Sequence, residues 1–94
     1  MGTINPRLAK FYTAVRPEIA LPIIITLNQP PEASQQQAVA ATGARVRGSS
    51  GFINAFYADA TQPQAERVAQ LAFVVSVQYD EPISALPAPV GGPR

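Results

Sequence analysis

Four β-branched residues in a row, Ile23-Ile24-Ile25-Thr26, stand at the centre of the segment from Leu21 to Asn28, which Pro30-Pro31 then stops. Such side chains lose χ1 freedom in a helix and pack well on a pleated surface, so this stretch is predicted to be the strongest strand of the chain. Ile23, Ile25 and Leu27 share one face of it, and Ile24, Thr26 and Asn28 the other. Apolar and polar residues do not strictly alternate, so both faces are expected to be partly covered. A strand of this kind needs paired neighbours and a helical layer, and the remaining residues supply both.

Upstream, Asn5 is a good N-cap and Pro6 suits a first helical turn. Leu8, Phe11, Tyr12 and Val15 then recur at helical spacing until Pro17. This lead-in helix is expected either to pack on the domain or to serve as an arm. Downstream, Glu32 to Thr42 has high helix propensity, and Gly43 sits where a left-handed C-cap belongs. Arg45 to Ser50 is poor in apolar residues and suits an edge strand, loosened by Gly48-Ser49-Ser50-Gly51. Ala55 to Ala60 reads as a strand with Phe56, Ala58 and Ala60 on one face and Ala55, Tyr57 and Asp59 on the other. Thr61 caps a further helix with Gln64 as its capping-box partner. Ala65, Val68, Ala69 and Ala72 form its apolar stripe, with Leu71 at the edge. The last strand, Val74 to Tyr79, sets Val75, Val77 and Tyr79 against Ser76 and Gln78.

The order is a helix followed by β-α-β-β-α-β, and 94 residues leave room for one domain. The expected fold class is α+β and ferredoxin-like. Its sheet would be four-stranded and antiparallel, with two helices on one face, an extra N-terminal helix and an extended C-terminal tail. The expected core comprises Ile23, Ile25, Leu27, Phe56, Val68, Val75 and Val77. The organisation that follows is a helical lead-in over 1–20, the sheet domain over 21–81 and a proline-rich tail over 82–94.

Composition removes several chemistries. With no histidine and no cysteine, the chain cannot build a Ser-His-Asp triad, a His general base, a thiolate nucleophile or a zinc site of the usual ligands. A net charge of +1, without any block of like charges, gives no footprint for nucleic acid or an anionic membrane. Gly48 to Gly51 has no lysine and no following helix, so it is not a phosphate loop. Arg47 and Asn54 invite comparison with acylphosphatases. Pro30 and Pro31, however, remove the backbone donors an anion-cradling loop would need after the first strand. Phe56 alternates as a core residue, not as a base-stacking platform. The chain is therefore read as non-enzymatic, with no cofactor and no metal. No signal peptide is visible at the N-terminus, which leaves both the cytoplasm and secretion alongside a protease open.

Three stretches carry a family resemblance. INAFYADAT, Ile53 to Thr61, is similar to the third strand of the subtilisin propeptide family, which typically opens Ile-Asn-Gly-Phe; here Ala55 stands in place of the glycine. TQPQAERVAQLAFVVSV matches the family's next helix and its turn into Val-x-x-Val. QYDE closes the last strand, with Tyr79 where an acid is common. The chain from roughly Leu21 to Leu86 thus resembles a family of protease prodomains that also includes stand-alone inhibitors.

The resemblance implies an inhibitor of subtilisin-type serine proteases, with a folding-chaperone role also in view. Ile83, Ser84, Ala85, Leu86 and Pro87 would lie in the protease cleft, with Leu86 in the primary specificity pocket and Ile83 three subsites upstream. Pro87, just after the point of cleavage, lacks an N–H and should slow cutting. The open sheet face, Ile24, Thr26, Tyr57, Ser76 and Gln78, would dock on the enzyme, and Asp80 would cap a protease helix. The implied partner is a subtilisin-like protease, with no nucleic acid and no membrane, and the free chain is expected to be a monomer. Two alternatives stand beside this: a prodomain detached from its protease, and a ferredoxin-like interaction module with no protease target.

Overall fold

The computed structural model describes residues 2–80. Its elements are β1 (Thr3–Ile4), α1 (Pro6–Thr13), β2 (Leu21–Leu27), α2 (Ala33–Ala41), β3 (Arg45–Ser50), β4 (Ala55–Ala60), α3 (Gln62–Ala69) and β5 (Val74–Tyr79). They form one five-stranded mixed sheet in the order β1-β5-β2-β4-β3. The Ile-rich β2 is central, antiparallel to β4 on one side and β5 on the other, while β3 is an edge paired with β4.

The helix ends follow from local chemistry. Asn5 Oδ1 accepts the Arg7 N–H at 2.9 Å, and Pro6 occupies the first turn, where its missing donor costs nothing. The Glu32 N–H donates to Gln35 Oε1 at 3.1 Å and the Thr61 N–H to Gln64 Oε1 at 2.9 Å, so α2 and α3 start in the same way. Gly43, at φ +98°, ends α2 in the left-handed conformation that glycine adopts without a steric cost.

All three helices feed one core. Leu8 and Tyr12 of α1, Val39 of α2, and Ala65, Val68 and Ala69 of α3 are buried in a single cluster with Ile23, Ile25, Leu27, Phe56, Ala58, Val74 and Val77. The lead-in helix is thus packed on the domain and is not an arm. Phe11 adds to this from α1, its ring centroid 4.6 Å from that of Tyr79.

Three expectations need correction. The sheet is neither four-stranded nor purely antiparallel, because Thr3 and Ile4 run parallel to Ser76 and Val77. Close approach is possible because Gly2 has no side chain: a Cβ there would lie 2.7 Å from the Val74 carbonyl oxygen. The Gly2 N–H donates to the carbonyl of Ala69, at the end of α3, which ties this short strand down. Second, Val75 is exposed, not buried. Leu27 pairs with Val74 and Thr26 with Ser76, so Val75 is the extra residue of a bulge and leaves the alternation that would have pointed it inward. Third, α3 ends at Ala69, so Ala72 lies beyond the helix in solvent, while Leu71 packs against the core.

Candidate protein-docking face

With every helix on the core side, the opposite face of β2, β4 and β5 carries no helix among the described residues. Register decides which side chains meet there. Ile24 stands between Tyr57 of β4 and Gln78 of β5, and Thr26 between Ala55 and Ser76. Pro22 pairs with Asp59, and the Asp80 N–H donates to the Pro22 carbonyl at 3.0 Å. The side chains predicted for this face, Ile24, Thr26, Tyr57, Ser76, Gln78 and Asp80, therefore lie on three adjacent strands in neighbouring cross-strand rows. Gln78 is exposed and the other five are half-buried.

The face has a charged end. Arg47 sits in a second bulge: Val46 pairs with Ala58 and Gly48 with Tyr57, leaving Arg47 as the extra residue of β3. Its Nε lies 3.2 Å from Asp59 Oδ1, and its Nη2 is 3.2 Å from Asp80 Oδ2. One guanidinium thus spans from the edge strand to the residue that follows β5. Partly exposed pairs of this kind contribute at most about 1 kcal/mol each, so their effect is mainly to orient side chains.

Arg47 and Asp59 join this face beyond the six residues expected there. Alternation puts Asp59 on the face of Tyr57, which was a usable signal; the bulge that brings Arg47 to it depends on pairing and has no local signature. The cleft-binding residues Ile83, Ser84, Ala85, Leu86 and Pro87 lie outside the described residues.

Among the described residues no group of three or more His, Cys, Asp or Glu side chains is arranged to hold a metal ion, and no helix is long and apolar enough to cross a membrane. Such a face, with an apolar and aromatic centre and a polar surround, suits contact with another protein. Against known proteins, the chain matches no family model and no curated sequence.

Proposed function

We propose that this chain inhibits subtilisin-type serine proteases, docking its open sheet face on the enzyme and inserting the segment after Asp80 into the active-site cleft. In this reading β2-α2-β3-β4-α3-β5 is a ferredoxin-like unit to which β1 and α1 are added. The observation that carries the proposal is the sheet face, free of any helix among the described residues, in which Tyr57, Ile24 and Gln78 align across three strands, with Asp80 just past the end of β5. A folded platform held on the enzyme beside the cleft lowers the entropy cost of presenting the inserted segment to it. An extended segment there can pair with the edge strands of the cleft through main-chain hydrogen bonds, while Ile83 and Leu86 fill apolar pockets. The chain acts as a ligand and carries out no chemistry itself.

One observation favours the alternative of an interaction module with no protease target. The Asp80 carboxylate is already engaged by Arg47 within the chain, so capping a protease helix requires that pair to open or to share its oxygens.

The deciding experiment is inhibition of a purified subtilisin by the whole chain, by the chain ending at Asp80 and by Leu86→Asp. The proposal expects tight inhibition by the first and strong loss in both others, since an unpaired charge in an apolar pocket is costly. Equal inhibition by Leu86→Asp and the parent removes the cleft-binding register. Absence of inhibition by the parent towards every subtilase tested makes the interaction module the better reading.

A further inference from the structure

Helix α1 presents a groove that neither the core nor the open face uses. Among the described residues it is lined by Pro6, Arg7, Lys10, Phe11 and Ala14, and it encloses about 600 Å³, a volume in the range of ligand clefts. Its apolar lining is Pro6, Ala14 and the half-buried Phe11, and its cations are Arg7 and Lys10. The Arg7 guanidinium lies 5.6 Å from the Phe11 ring centroid, so charge and aromatic surface stand together. No residue from Met1 to Val15 is acidic.

The groove lies where β5 ends. The Asn5 N–H donates to the Val77 carbonyl at 2.8 Å, which sets the start of α1 against β5. The Phe11 ring then meets that of Tyr79, the last residue of β5, at 4.6 Å between centroids. The chain that follows Asp80 therefore starts beside the groove. Residues 81–94 read EPISALPAPVGGPR, with one acid, Glu81, at the root and Ile83, Leu86 and Val90 among four prolines. Pro6 to Ala14 rises about 12 Å along the helix, and six extended residues from Asp80 reach about 20 Å. Both Ile83 and Leu86 come within that range.

We propose that Glu81 to Leu86 folds back into this groove, Glu81 facing Arg7 and Lys10, and Ile83 and Leu86 covering Phe11 and Ala14. This is a contact within the chain and stands whether or not the chain inhibits a protease. The segment is attached next to its groove, so its effective concentration there is high. Pro82 and Pro87 already restrict the backbone, which lowers the cost of ordering it, and proline-rich segments suit aromatic-lined grooves. The groove thereby keeps Ile83 and Leu86 out of water, and any partner that takes the segment must outcompete it.

The test uses the whole chain, which has no cysteine of its own. Ala14→Cys with Leu86→Cys places a thiol pair at the groove and leaves both cations in place. Gln36→Cys with Leu86→Cys is the control, Gln36 being exposed on α2. Under mild oxidation the first pair should close an internal disulfide roughly tenfold faster, because the bond needs Cα atoms within about 7 Å. Equal rates overturn the proposal. A crosslink between two chains in place of the internal one also overturns it, since a second copy then fills the groove. A second measurement needs no added thiol. Leu86→Asp should shift the backbone amide NMR signals of Arg7, Lys10, Phe11 and Ala14, which are remote from it in sequence. Unmoved signals overturn the contact even where Leu86→Asp loses inhibition, since that loss belongs to the protease cleft alone.

Discussion

The Tyr12 hydroxyl donates a 2.7 Å hydrogen bond to the carbonyl of Ala60, joining the last turn of α1 to the last residue of β4. Both groups are buried, so the bond fixes where the lead-in helix lies on the sheet and satisfies a carbonyl that water cannot reach.

Tyr12→Phe should therefore destabilise the fold by about 1–3 kcal/mol, the range for leaving a buried acceptor unpaired, as read by chemical denaturation. Burial also pushes the Tyr12 phenol from its ordinary 10.0 up to about 12. The folded state then holds this proton more tightly than the unfolded state. Its contribution is complete below pH 10 and is lost as pH rises towards 12, at a limiting slope of about 1.4 kcal/mol per pH unit. Denaturation between pH 8 and 11.5 should show this decline in the parent and a shallower one in Tyr12→Phe. Parallel curves would mean that Tyr12 ionises equally easily in both states.

Gly43→Ala should cost about 1–2 kcal/mol, because a side chain at φ +98° is strained. The new Cβ would also lie 2.7 Å from Gln64 Nε2, on the side chain whose Oε1 holds the start of α3. Gly48→Ala is the control. A Cβ there meets nothing within 4 Å, so denaturation should place it within about 0.5 kcal/mol of the parent.

Phe56→Ala and Val75→Ala separate the observed register from the one that simple alternation predicts. Phe56 is buried at the centre of the core, and removing its ring should cost about 3–5 kcal/mol. Val75 is the outward residue of the β5 bulge, and its truncation should cost under about 0.5 kcal/mol. A loss of about 2 kcal/mol or more at Val75 would mean that β5 has no bulge there.

Two variants address the proposed inhibition. Gln78→Lys, on the exposed end of the Tyr57–Ile24–Gln78 row, should weaken inhibition of subtilisin with little change in thermal midpoint. Equal losses of both would make the residue structural. Pro87→Ala should bind initially like the parent but lose inhibition over time, with a fragment ending at Leu86 detected by mass spectrometry. A stable complex would show that Pro87 does not protect the bond.

The starts of α1 and α3 and the end of α2 are legible from sequence because capping is local: Asn5-Pro6, Thr61 with Gln64, and Gly43 each act within one turn. The faces of β2 and β4 are equally legible, since alternation in a regular strand is geometric, and this is why Ile24 and Tyr57 could be matched in advance. The bulges at Arg47 and Val75 are not legible, because an extra residue is defined only against the partner strand. β1 escaped for a different reason. Two residues carry no periodicity, and what holds Thr3 and Ile4 is the room that Gly2 leaves against Val74.

The central position of β2 has a consequence for how the chain emerges during synthesis. Its neighbours are β4 and β5, the last two strands to be made, while β3, the next strand in sequence, never pairs with it. The most amyloid-like stretch of the chain, Ile23 to Leu27, therefore waits with both edges bare until more than half of the domain has left the ribosome. Pro22 on one side and Pro30-Pro31 on the other interrupt that stretch where it would otherwise extend. In this light they are gatekeepers against premature self-pairing as much as boundaries of a strand.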